Sequence, residues 1–183
     1  MGRTDTGSVP TEEDTKNMEQ NKEHLSKRKV IRLRGYDYST RGLYFVTIVV
    51  NKRLNLFGHI LDNRMIMNDV ARAFEKSYLE LPETFRDVEC LDYVFMPNHF
   101  HCIIGLLGNG SSNLSELMRW WKSETTNKYI HGVKESGWIP FAGVLWQGRF
   151  YDHIIRNQEE LDAFRNYIHE NPKRWAEDEY TCK

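Results

Sequence analysis

Two stretches that read as strands, residues 88–95 and 99–107, stand back to back with only Met96-Pro97-Asn98 between them. A link this short turns the chain and joins antiparallel neighbours, because a parallel pair needs a crossover of a dozen or more residues. A helical pattern lies on either side. Upstream, Asn68 or Asp69 caps a helix whose apolar stripe is Val70, Ala73, Phe74 and Leu81, and Pro82 stops it. Downstream, Asn113 with Glu116 resembles a capping box. Leu114, Leu117, Met118 and Trp121 then follow at i, i+3, i+4 and i+7, which predicts a helix to about residue 130.

The flanks extend this pattern. Residues 44–50, rich in β-branched and aromatic side chains, read as a buried strand. Residues 57–60 and 64–67 flank the turn dipeptide Asp62-Asn63 as a hairpin. Residues 132–143 read as an ordered loop and 145–155 as an apolar-aromatic connector. Asn157 and Glu160 repeat the capping pattern ahead of a last helix with Leu161, Phe164 and Ile168 on one face, ended by Pro172. The order strand, hairpin, helix, strand, strand, helix, helix predicts an α+β fold of ferredoxin-like or RRM-like type, an antiparallel sheet with helices packed on one face.

The 183-residue length suits one domain with a tail. Residues 1–29 carry only Met1, Val9, Met18 and Leu25 as large apolar side chains, too few to offset ordering entropy, and read as a disordered tail. The tail ends in a basic arm, and residues 30–183 form the expected domain. The formal net charge of −1 excludes a globally basic protein that coats duplex DNA. No apolar run approaches the roughly 20 residues of a membrane helix, and no secretory h-region is visible. Cys90, Cys102 and Cys182 form no CxxC pair, so thiols in a reducing cytoplasm are expected.

Chemistry concentrates in two places. In His99-Phe100-His101, strand alternation sends both imidazoles to one face and Phe100 to the other. The two rings, about 6–7 Å apart, can converge on one metal ion; the bland reading is a pair of core-edge histidines. Tyr167 and Asn171 stand four apart, one helical turn, where each also reads as an ordinary edge tyrosine or helix cap. Taken together they make a coherent site. A tyrosine, with a free pKa near 10, attacks a phosphodiester when a cation withdraws charge from phosphorus. Two neutral histidines and one amide oxygen suit Mn²⁺ and tolerate Mg²⁺.

The chain resembles the single-tyrosine transposases of the HUH (His–hydrophobic–His) nuclease superfamily, and more narrowly the REP-associated tyrosine transposases. The matching blocks are Tyr44-Phe45-Val46-Thr47-Ile48, Met96-Pro97-Asn98-His99-Phe100-His101, the run from Leu145-Trp146-Gln147-Gly148-Arg149 to Asn157, and Tyr167-Ile168-His169-Glu170-Asn171-Pro172. They fall in family order across roughly residues 35–175. The resemblance implies a ferredoxin-like domain that cleaves and rejoins single-stranded DNA beside a hairpin, with His99, His101 and Asn171 as ligands of Mg²⁺ or Mn²⁺. Tyr167 is the implied nucleophile, leaving a 5′-phosphotyrosine and a free 3′-hydroxyl without any organic cofactor. Relatives linked to REP hairpins continue past this helix with a longer tail. REP-type recognition, a homodimer, and the choice between a tyrosine serving its own or a partner's histidines therefore stay open.

Tyr129 and Tyr151 are rival nucleophiles by chemistry, with Tyr167 preferred. Of the other histidines, His169 lies roughly 200° round the helix from Tyr167 and is expected to face away, and His153 orients a phosphate or base or serves the structure. Single strands are held by cations on the backbone and aromatics on the bases. The candidates are Lys27, Arg28, Lys29, Arg32 and Arg34 of the arm, Arg149, Arg156, and Trp120 beside Arg119 and Lys122. Trp120 departs from the apolar stripe that Trp121 fits, and meets either DNA or the 132–143 loop. Two other functions remain possible: a domesticated hairpin-DNA-binding protein with reduced or lost cleavage, and an unrelated metal hydrolase with no role for Tyr167.

Overall fold

The computed structural model describes residues 36–108, 112–178 and 180–181. The tail and its basic arm, Lys27, Arg28, Lys29, Arg32 and Arg34, lie outside the described residues. In chain order the elements are β1 (Gly42–Val49), β2 (Gly58–Leu61), β3 (Arg64–Met67), α1 (Asp69–Leu79), a single turn α2 (Leu81–Thr84), β4 (Val88–Met96), β5 (His99–Leu106), α3 (Leu114–Glu135), β6 (Tyr151–Ile155) and α4 (Gln158–Glu170). Short 3₁₀ segments follow β1 at Asn51–Arg53 and α4 at Asn171–Glu177. Four strands make one antiparallel sheet in the order β4-β5-β1-β6, and β2 and β3 form a separate two-stranded ladder.

Local chemistry starts the three long helices as the sequence suggests. The side chains of Asn68, Asn113 and Asn157 accept from the backbone N–H groups of Ala71, Ser115 and Glu160, capping α1, α3 and α4. Asp62 and Asn63, at φ 49° and 60°, supply the left-handed turn that joins β2 to β3.

The sheet is covered on both faces. Tyr44, Val46 and Ile48 of β1 and Phe100, Cys102, Ile104 and Leu106 of β5 pack with Phe74 and Tyr78 of α1 and Leu117, Met118 and Trp121 of α3. Phe45 and Ile103 point the other way, toward Ile155, Leu161, Phe164 and Ile168. The α+β sandwich is as expected, but only α1 and α3 share a face; α4 covers the opposite one. The reason is visible in β5, which is buried at all eight positions. A strand dry on both sides requires a layer on each.

Two further boundaries differ from the sequence reading. The 145–155 connector contains the edge strand β6, which pairs Phe45 with His153 and Thr47 with Tyr151. Its mixed polar pattern reflects an edge strand that is only half-buried. Helix α3 also runs through Gly132 to Glu135. Gly132 is no terminator there: the Trp138 indole packs where a Cβ would stand. No described helix is long and apolar enough to cross a membrane.

Phe100 anchors the strand between the two histidines. Its ring lies 4.3 Å from Phe95 and 5.1 Å from both Tyr78 and Trp121, centroid to centroid. Phe100→Ala is expected to cost about 3–5 kcal/mol of stability, and Phe100→Leu considerably less, as measured by urea unfolding.

Candidate active site

The face of β5 opposite Phe100 carries His99 and His101, both buried, with ring centroids 4.5 Å apart. Each imidazole has one nitrogen occupied. His101 Nδ1 lies 2.7 Å from Thr47 Oγ1, its register partner across the sheet. His99 Nδ1 lies 2.9 Å from Asn98 Oδ1. Asn98 is fully buried, and its Nδ2 donates to the carbonyls of Arg53 (3.1 Å) and Tyr180 (2.8 Å). Two carbonyl acceptors fix the orientation of that amide, so its oxygen faces His99. His99 Nδ1–H must then donate, which leaves Nε2 as the lone-pair nitrogen.

Burial holds both rings neutral. It pulls His101 down to about 3. It also holds His99 well below the usual histidine range, and a second imidazole at His101 and the nearby Arg53 cation further disfavour a positive charge there. The Asp178 carboxylate, 3.8 Å from His99 Nε2, therefore faces a neutral ring and forms no ion pair with it.

Helix α4 closes over this face from the same chain. Phe164 stacks on Phe45 at 4.4 Å, and Leu161 and Ile168 are buried beneath the helix. On its outer side, Asp92 of β4 holds Arg165 Nε and His169 Nε2, each at 2.9 Å. These contacts set the half-buried Tyr167 with its hydroxyl 3.4 Å from His101 Nε2 and its ring edge-on to that imidazole. Asn171 follows one turn later and is also buried. The 3₁₀ segment then brings Trp175 within 6.0 Å and Tyr180 within 4.6 Å of the His99 ring.

The donor set suits a divalent cation of nitrogen and oxygen preference. His99 Nε2 and Asn171 Oδ1 are buried acceptors with no hydrogen-bond partner, a state that costs about 1–3 kcal/mol per group unless something fills it. Ligand atoms of His99, His101 and Asp178 all lie within 4.8 Å of one another. The sequence reading missed Asp178, because nothing local marks a residue beyond Pro172 as returning to the sheet. It also passed over Thr47 and Asn98. Both sit inside the quoted blocks, and Asn98 adjoins a histidine.

Other candidates fall elsewhere. Trp120 is partly exposed and packs edge-on against Phe85, on a helix across the sheet from the histidines. Tyr129 is in the same far core and donates to the Ile139 carbonyl. Tyr151 pairs with Thr47 on the histidine face. His153 lies tilted against Phe164 and reaches Glu160, and His169 points outward to Asp92. Arg149 is exposed ahead of β6, and Arg156 is exposed 3.9 Å from Glu160.

The fold is an antiparallel α+β sheet that carries a buried histidine pair beneath a tyrosine, and comparison with known proteins gives its family. Residues 44–171 match the family model described as "Transposase IS200 like". The chain is 31% identical over 165 residues to an uncharacterized protein of Haemophilus influenzae, spanning 83% of this chain and 92% of that one. It is 31% identical over 87 residues to the REP-associated tyrosine transposase of Escherichia coli, spanning 48% and 46% of the two chains. A solved REP-associated tyrosine transposase bound to a REP hairpin shares the fold, with a TM-score of 0.58 and 24% identity over 79% of this chain and 74% of that one. The chain belongs to the IS200-like transposase family.

The neutral histidines give a pH test. His101 has a folded-state pKa depressed to about 3, so the unfolded chain binds its proton first as pH falls through about 6.5. Stability is therefore expected to fall between about pH 6.5 and 3, by about 1.4 kcal/mol per pH unit for this ring. Urea unfolding in EDTA at pH 7 and pH 5 checks it. His101→Gln should flatten the dependence by close to one proton; an equal slope in the variant excludes the assignment.

Proposed function

We propose that this protein is a metal-dependent strand transferase that cleaves and rejoins single-stranded DNA near hairpins through a 5′-phosphotyrosine formed on Tyr167. The observation that carries the reading is Tyr167 Oη set 3.4 Å from His101 Nε2 of its own chain. Beside it, His99 Nε2 and Asn171 Oδ1 are buried and unpartnered. His99, His101 and Asn171 would hold Mg²⁺ or Mn²⁺, with the Asp178 carboxylate in reach of the same donors. When bound, the cation draws charge from the scissile phosphate and lets a weak nucleophile act at neutral pH.

The chain's own groups supply the rest. The Tyr167 oxygen attacks phosphorus, the bond from phosphorus to the 3′-oxygen breaks, and the leaving oxygen takes a proton while the tyrosyl proton is lost to solvent. The phosphotyrosine keeps the bond energy, so a 3′-hydroxyl can reverse the step and rejoin strands. Phe45, Phe164 and Ile168 hold the tyrosine so that little reorganisation precedes attack. Asn98 and Thr47 orient the imidazoles. Arg149, Arg156 and the arm at Lys27, Arg28, Lys29, Arg32 and Arg34 would contact DNA phosphates. A hairpin substrate is supported by the likeness to relatives named for REP sequences.

Incubation with hairpin oligonucleotides carrying randomised single-stranded flanks and a 3′ label, with Mn²⁺ or Mg²⁺, should give a labelled covalent adduct on a denaturing gel. Tyr167→Phe should reduce it below detection. An adduct that survives this change rules out Tyr167 as nucleophile, and cleavage without any adduct favours a hydrolase. Tight binding without cleavage favours a domesticated hairpin binder.

Thr47→Val should weaken Mn²⁺ binding by about 10–100-fold in calorimetric titration, with little change in fold, because the hydroxyl orients His101. Unchanged affinity would show that the hydroxyl does not prepare the ligand.

A further inference from the structure

We propose that the turn Asn51–Arg53 is a clamp for the phosphate backbone of single-stranded DNA, with Lys52 and Arg53 as its two cations; this rests on the strand-transfer reading above and names a DNA contact for it.

The first observation is conformational. Lys52 and Arg53 are consecutive non-glycine residues at φ 56° and 55°. Long side chains rarely adopt this left-handed region, and two in succession store strain that glycine or asparagine would relieve. Strain of this kind persists where the surroundings hold the backbone in place. Here they do. Val50 N–H donates to the Asn98 carbonyl at 2.9 Å, Asn51 N–H to the Leu145 carbonyl at 2.8 Å, and Asn98 Nδ2 to the Arg53 carbonyl at 3.1 Å.

The second observation is place. The same buried Asn98 amide that grips Arg53 also orients His99, so turn and histidine are held by one side chain. The Arg53 guanidinium lies 5.5 Å from the Tyr180 ring centroid, and that ring lies 4.6 Å from His99. This puts a permanent cation at the rim of the histidine pair, with Lys52 beside it and both side chains exposed. Two exposed cations on a held turn next to the buried histidine pair match what a passing polyanion needs: charge outside, fixed relative to the site. Neither residue figures in the sequence reading, because left-handed backbone at lysine and arginine has no signature in composition or periodicity.

The strain provides the test, since relief and loss of charge act in opposite directions. Full-length protein, with Lys52→Gly, Arg53→Gly and the double variant, is titrated into a fluorescein-labelled hairpin oligonucleotide with single-stranded flanks. Anisotropy is read in EDTA at several salt concentrations. The double variant should bind about tenfold more weakly at 100 mM salt. Its slope of log K against log salt should be shallower by about 1.4, the value for two phosphate contacts on a single strand. Its Tm should rise by about 2–4 °C as the strain is relieved. Arg53→Lys should keep most of the slope, and Lys76→Ala, on α1 across the sheet, should leave it unchanged. Unaltered affinity and slope in the double variant would overturn the clamp. So would a Tm that falls together with binding, since the turn would then serve the fold, and so would an absence of DNA binding by the unmodified chain. The adduct assay reads the parent proposal separately. DNA binding with the expected loss in the double variant, but no adduct from the unmodified chain, would sink cleavage and leave the clamp standing.

Discussion

The structure depends on keeping two imidazoles neutral and dry on the face of a central strand. Burial of His99 and His101 between sheet and helix leaves Nε2 of His99 without a hydrogen-bond partner. Asn171 Oδ1 shares that condition. Each such group costs on the order of 1–3 kcal/mol, against a total stability of roughly 5–15 kcal/mol for a domain. The opposite face of the sheet offsets that cost. There Tyr44, Tyr78, Phe74, Phe95, Phe100 and Trp121 are all essentially inaccessible to water, and large buried aromatics contribute several kcal/mol each. One strand thus divides by residue parity: even positions of β5 face the aromatic core, and His99 and His101 on the odd side face α4 and the segment after it.

The second constraint is where α4 can sit. With only α1 and α3 on the far side, the histidine face would be open to solvent, and the rings would titrate near their ordinary range. α4 removes that option by laying Phe164 on Phe45 and Ile168 beneath it. The same packing delivers Tyr167 to His101. Shielding the imidazoles and presenting the hydroxyl are therefore one structural act. The Asp92 contacts to Arg165 and His169, a turn apart on the outer side, fix the helix in rotation as well as in distance.

Much of this was legible in the chain because the relevant signals are local. Alternation in His99-Phe100-His101, the three asparagine caps and the four-residue spacing from Tyr167 to Asn171 all follow from backbone periodicity. The sheet class followed from two strands joined by Met96-Pro97-Asn98. What escaped depends on contacts distant in sequence. β6 is a strand because β1 pairs with it, and its half-polar composition gives no sign of that. The side of the sheet that α4 takes is set by tertiary packing, although three successive apolar residues, Cys102, Ile103 and Ile104, do hint at two dry faces. The contact of Trp120 with Phe85 escaped for the same reason: Phe85 lies 35 positions away and follows a single helical turn that Pro82 had hidden. Asp178 reaches the histidines only after a 3₁₀ turn folds the chain back.

Asn98 shows why these long-range contacts cannot be separated from the site. Its one side chain satisfies three partners from three parts of the chain: the carbonyl of Arg53 after β1, the carbonyl of Tyr180 after α4, and the ring of His99 beside it. A buried amide has no cheaper alternative arrangement, since losing any one partner leaves a polar group unsatisfied in a dry interior. The tautomer of His99 is therefore set by the folding of segments more than forty residues to one side and more than eighty to the other. The lone pair that would meet a cation becomes available only when β1, β5 and the segment after α4 have all been assembled.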